Sequence, residues 1–160
     1  MDVAPDKVAA LLDAAAALER IGARYALVGG VAVGIHSGVP RATLDVDLSV
    51  LSRVSRAQAI DALVAEGFQL TGEFAHSVNF RHASGEPLQL VFDPSFDAMI
   101  ERAESFEVRG RAIRIVSLPD LIAMKERAAA DPSRRRSKAL RDRADLALLR
   151  GDVPGPDEGW

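Results

Sequence analysis

The hydrophobic positions of this chain change period several times, and each change marks an element. Val8, Leu11, Leu12, Ala15 and Leu18 recur at three-and-four spacing, the stripe of an amphipathic helix from about Asp6 to Ile21. Gly22 stands where such a helix ends. Tyr25-Ala26-Leu27-Val28 is apolar throughout and runs into Gly29-Gly30, which predicts a buried strand entering a tight turn. Small and apolar residues from Val31 to His36 predict a helix opening at those glycines, closed by Ser37-Gly38-Val39-Pro40. From Leu44 to Leu51 the period becomes two: Leu44, Val46, Leu48 and Val50 alternate with Asp45, Asp47 and Ser49. That is a strand with one buried face.

The second half repeats these signals. Ser55 to Glu66 reads as a helix capped by Ser55 and ended by Gly67. Phe68–Leu70, Ser77–Arg81 and Leu88–Phe92 are strand candidates, the last two joined by a turn containing Gly85. Phe96–Ala103 predicts a short helix, and Glu107-Val108 and Ala112–Val116 flank a turn at Arg109-Gly110. Ser117 suits the N-cap of a helix over Pro119–Ala130, with proline at its first position. Asp131–Ser137 breaks the pattern before a last helix over Lys138–Leu149. The expected fold class is α+β (α/β): a mixed β-sheet flanked by helices and closed by two C-terminal helices. Residues 1–150 are expected to form one domain, and the Gly-, Pro- and acid-rich residues 151–160 a flexible tail.

Composition narrows the chemistry. With no cysteine, disulfides, thiolate zinc sites and thiol nucleophiles are excluded. His36, His76 and His82 are isolated and show no metal-ligand spacing. No apolar run approaches the roughly 18 residues of a membrane span. The N-terminus begins acidic, without the layout of a signal peptide, so the expectation is a cytoplasmic protein with no membrane partner. The net charge is −3, yet basic residues outnumber acidic ones between Lys125 and Arg150. Such a segment can attract phosphate or an acidic partner, and it can equally be a solvated helix face with its loop.

Asp45 and Asp47 are two apart on a strand, so they project from one face about 7 Å apart at the backbone. Two carboxylates at one site repel unless a cation sits between them, and hard oxygen ligands favour Mg²⁺ or Mn²⁺. An acidic, solvent-facing strand would show the same pattern. The glycines add a second half to the site: a strand entering Gly29-Gly30 and then a helix lets backbone N–H groups approach an anion, although any tight turn can look so. Together, a phosphate cradle and a two-carboxylate strand make a metal–nucleotide site suited to in-line displacement at phosphorus.

Leu27-Val28-Gly29-Gly30, followed by Arg41-Ala42-Thr43-Leu44-Asp45-Val46-Asp47-Leu48, resembles the signature of the DNA polymerase β-like nucleotidyltransferase superfamily. The resemblance is nearest to its small prokaryotic AbiEii-type and minimal nucleotidyltransferases, many of them toxin–antitoxin components. Ser117–Lys125 and Arg141–Leu146 fit the same branch. The resemblance implies the nucleotidyltransferase fold and an Mg²⁺-dependent (or Mn²⁺-dependent) transfer of a nucleoside monophosphate from an NTP to a hydroxyl. It implies that Gly29 and Gly30 hold the nucleotide phosphates and that Asp45 and Asp47 hold metal. Lys125 would reach phosphate or fix the cleft, and Arg41 and Thr43 could touch phosphate. Surface roles for Lys125 and Arg41, and a strand-edge role for Thr43, fit these residues as well. A tRNA 3′ end or a protein side chain would be the acceptor, and a cognate antitoxin a partner. Asp142 and Asp145 are expected to pair with nearby arginines rather than bind metal.

The superfamily pattern has a third carboxylate on a neighbouring strand, and here the sequence departs from it. Gln89 occupies that slot in Leu88-Gln89-Leu90, and an amide cannot act as a base. Asp93 is the substitute expected as third catalytic acid, although it lies about 13 Å further along an extended strand. Glu86 is a weaker candidate. The alternative reading is a non-catalytic nucleotide- or partner-binding module of the same fold.

Overall fold

The least polar segments of the chain lie at the centre of a seven-stranded mixed sheet, described by a computed structural model covering residues 5–39, 45–153 and 155. Arg41, Thr43 and most of the predicted tail lie outside the described residues. A first helix, α1 (Pro5–Arg20), leads into strand β1 (Tyr25–Val28), helix α2 (Gly29–Ser37) and strand β2 (Val46–Val50). Helix α3 (Arg56–Ala65) precedes three strands, β3 (Gln69–Glu73), β4 (Ser77–Arg81) and β5 (Pro87–Val91). A 3₁₀ turn (Pro94–Phe96), helix α4 (Asp97–Glu101), strands β6 (Glu104–Val108) and β7 (Arg111–Ile115), and helices α5 (Leu118–Ala130) and α6 (Arg136–Leu149) follow.

The strand order is β3-β4-β5-β2-β1-β7-β6. Strand β2 runs antiparallel to β1 and parallel to β5, and β1 runs parallel to β7. Every residue of β1 is buried, as expected of a strand covered on both faces. On β2, β4 and β5 the alternation predicted from sequence decides the two faces. Val46, Leu48 and Val50, Val78 and Phe80, and Leu88 and Leu90 are all buried. Helices α1 and α3 pack together on this side of the sheet. Helices α2, α5 and α6 form a second group.

Boundaries moved where propensity was weak. Strand β3 extends beyond Leu70 to Glu73 along the sheet edge. The predicted helix at Phe96–Ala103 starts earlier, as a 3₁₀ turn, and ends at Glu101. Both predicted N-caps hold: Ser55 accepts from Gln58 N–H and Ser117 from Asp120 N–H. Among the described residues, no helix is long and apolar enough to cross a membrane.

Candidate active site

A single row of paired residues crosses the open face of the sheet. Val28 on β1 is in register with Asp47 on β2, Asp47 with Gln89 on β5, and Gln89 with Asn79 on β4. Register partners share a face, so a carboxylate and two carboxamides stand side by side at the spacing of neighbouring strands, about 4.8 Å. Asp45 immediately precedes β2, two residues before Asp47 on the same face, and Ser49 follows two residues after.

The glycine turn meets this row directly. Gly29 has φ +73°, a conformation that strains any residue with a Cβ. A Cβ at this position would collide with Asp47 Oδ2. The chain therefore needs glycine twice over here, for the turn and for the close approach of the carboxylate. Helix α2 begins at this point, and its N-cap residue, Val28, offers no side-chain cap. The N-terminus of the helix, with its first N–H groups and the positive end of its dipole, therefore lies beside Asp47. Gly30, next along, is buried.

Lys125 on α5 faces the same cleft. A cavity of about 250 Å³ is lined by Gly29, Asp47, Ser49, Gln89, Lys125 and Arg134 among its polar members, with Phe96, Leu121 and Met124 as its apolar wall. The Lys125 ammonium lies 3.3 Å from Asp142 Oδ1 and 3.0 Å from Asp145 Oδ2. Arg134 Nε also donates to Asp142, and its second nitrogen reaches Asp142 Oδ1 at 3.2 Å. Both carboxylates are 1% exposed, so this four-residue network compensates charges that would be costly to bury singly. The sequence expectation for these aspartates holds in part: Asp142 does pair with an arginine, while Asp145 is tied to Lys125.

The structure does not bring Asp93 to the carboxylate pair. Strand β5 ends at Val91, and Asp93 instead caps the following 3₁₀ turn. The backbone N–H and the hydroxyl of Ser95 both donate to it, holding its pKa below the ordinary carboxylate value. Among the described residues, no group of three His, Asp or Glu side chains is placed to hold a metal ion. Asp45 and Asp47 are hard oxygen donors on one face of the sheet, the donor type that a divalent cation takes when water and phosphate complete its shell.

Sequence reasoning missed two polar atoms. Ser49 Oγ and Asn79 Oδ1 are buried without a hydrogen-bond partner among the described residues, a state rare enough in native proteins to need an explanation. The signal for Ser49 was visible as the third polar position of the Asp45-x-Asp47-x-Ser49 alternation. Asn79 is the only asparagine in the chain.

This arrangement, a glycine turn against a carboxylate strand at the centre of a mixed sheet, is that of the nucleotidyltransferase fold. The lincosamide antibiotic adenylyltransferase LnuA superposes with a TM-score of 0.65 at 14% identity, over 96% of this chain and 100% of that one. The antibiotic-resistance factor ANT(2'')-Ia gives 0.64 at 19% identity, over 94% and 87%. An antigenic nucleotidyltransferase-like protein from Paracoccidioides brasiliensis gives 0.61 at 21% identity, over 96% and 80%. Among curated proteins, none matches in sequence. The family described as nucleotidyl transferase AbiEii toxin, type IV TA system, matches residues 10–158. The chain belongs to that family and is a nucleotidyltransferase.

Proposed function

We propose that this protein transfers a nucleoside monophosphate from an NTP to a hydroxyl of RNA, with Mg²⁺ held by Asp45 and Asp47. The observation that supports the reading is the close approach of Gly29 and Asp47, which would put phosphate at the start of α2 beside a carboxylate able to hold metal. The triphosphate lies on the N–H groups at the start of α2, in the cleft walled by Lys125. Lys125, oriented by Asp142 and Asp145, offsets phosphate charge from the opposite side. A divalent cation held by Asp45 and Asp47 would supply charge neutralisation at the reacting phosphate. The acceptor oxygen bonds to the α-phosphorus as the bond to pyrophosphate breaks. Gln89 cannot take the acceptor's proton, which passes to water. Holding the two reactants in line supplies most of the rate.

RNA is favoured over a protein acceptor by the α5–α6 loop. Arg134, Arg135 and Lys138, with Asp131 and Ser133, line an open hollow of about 480 Å³. Arg134 borders both this hollow and the cleft, so a polyanion lying along the loop is led to the reacting phosphate. tRNA is the acceptor to test first. A cognate antitoxin accords with the family, and a cytoplasmic location is proposed with it.

The test incubates the protein with each α-labelled NTP, Mg²⁺ and total RNA. Label should appear on RNA and vanish in D45N/D47N, and transfer should weaken steeply with salt. Label retained in the double variant overturns the mechanism. The rival is a non-catalytic nucleotide-binding member of the fold, favoured by Gln89 in the slot beside Asp47. Nucleotide binding without transfer to any acceptor would establish it.

A further inference from the structure

Arg134 lines both the cleft of Gly29 and Lys125 and the open hollow of the α5–α6 loop. Its place is fixed at both ends of the residue. The Arg134 N–H donates to Asp131 O at 3.1 Å, closing a turn over Asp131–Arg134. Ser133 ties that turn down, donating to the Asp131 carboxylate through its N–H at 2.9 Å and its hydroxyl at 2.7 Å. The guanidinium is held by Asp142, which accepts from Nε and, at 3.2 Å, from Nη2. Asp142 is 1% exposed. Withdrawing Arg134 would take a cation from a buried carboxylate, which is costly. The guanidinium therefore stays between cleft and hollow, and a ligand must come to it.

We propose that the hollow binds one phosphodiester of the RNA acceptor, gripped by the terminal nitrogens of Arg134, and that Asp142 is the positioning residue that presents them. The inference rests on the nucleotidyltransferase reading above and deepens it: the acceptor carries phosphate close to the hydroxyl that reacts, so a protein hydroxyl or a free sugar does not fit. A guanidinium is a planar fork with donors along more than one edge. Asp142 takes the edge formed by Nε and Nη2. The edge formed by the two terminal nitrogens has the geometry that meets a phosphate through two parallel N–H···O bonds. A fork already held in place loses less side-chain freedom when its ligand arrives. Arg135 and Lys138 line the same hollow, so among the described residues three cations stand there against the one carboxylate of Asp131. Charge brings the strand to the loop, and Arg134 fixes where it lies. Because the same side chain borders the cleft, a phosphodiester bound to it sets the acceptor at the cleft mouth.

The test follows binding of fluorescein-labelled tRNA by fluorescence anisotropy over a series of salt concentrations, with no NTP present. R134K keeps the charge and removes the fork. Its affinity should fall about tenfold, as loss of one charge-assisted hydrogen bond does, with the salt slope unchanged. R134A should lose the same contact and also lower the slope by about one. D142N separates position from charge. It removes a negative charge beside a polyanion, so charge alone would tighten binding, whereas loss of the orienting carboxylate weakens it at an unchanged slope. Circular dichroism and melting temperature check that each variant is folded, and R134K decides the matter where D142N is not. Parent-like tRNA affinity in R134K overturns the phosphate grip, and a weaker affinity for Mg²⁺–ATP in that same variant assigns Arg134 to the donor nucleotide instead. Unchanged or tighter tRNA binding by folded D142N overturns the role of Asp142. A parent that binds Mg²⁺–ATP and no tRNA overturns the RNA acceptor and the subsite with it, and leaves the nucleotide site standing.

Discussion

Strands β2, β4 and β5 present two faces, and the same two-residue repeat of about 7 Å along each strand serves opposite ends on them. One face carries Val46, Leu48, Val50, Val78, Phe80, Leu88 and Leu90, all buried against the side where α1 and α3 lie. The other carries Asp45, Asp47, Ser49, Gln89 and Asn79, with two polar atoms lacking partners among the described residues and two cavities alongside. The first face maximises apolar burial and rigid packing. The second leaves polar groups unsatisfied and like charges close, which a fold tolerates when a ligand completes the site. Because a strand has period two, the rigid face holds the reactive face in position, residue by residue.

The largest effect belongs to Gly29: G29A should abolish transfer, since the new Cβ both opposes φ +73° and displaces the Asp47 carboxylate. Transfer assays read this, with a circular dichroism spectrum close to that of the parent. On the buried face, L48A or L90A should cost about 2–5 kcal/mol by cavity formation, read by denaturant unfolding. K125M should cost about 3 kcal/mol, because it leaves two buried carboxylates sharing one fewer cation. It should also lower transfer, so it sharpens the contrast by affecting both properties at once.

The smallest effect is one of pH and lies in the core. Burial raises the Tyr25 pKa from 10.0 to about 12. A group raised in the folded state contributes stability below its unfolded pKa and loses it as pH rises through the folded one. Parent stability should therefore fall between about pH 10 and pH 12 by more than that of Y25F, measured by thermal unfolding across that range.

Sequence reached far into both faces because alternation is a local property. Val46, Leu48 and Val50 against Asp45, Asp47 and Ser49 could be sorted from the order of residues alone. The cap at Ser55 and the helix opening at Gly29 are equally local. Asn79 was not found, because its meaning depends on register: nothing in Ser77–Arg81 tells that Asn79 stands beside Gln89, or Gln89 beside Asp47. Asp93 was placed at the site by extending the alternation of β5 past its end. A proline at position 94 and the Ser95 donors turn the chain there instead. The Lys125–Asp142–Asp145–Arg134 network, too, is made by two helices packing together, which no local pattern encodes.

The most direct test of the division between the faces measures transfer and melting temperature on one preparation of D45N/D47N, without added metal for the melt. Transfer should be lost and the melting temperature should stay within a few degrees of the parent's, since the apolar face holds the fold. Transfer retained, or a fall of several degrees in melting temperature, would contradict that division.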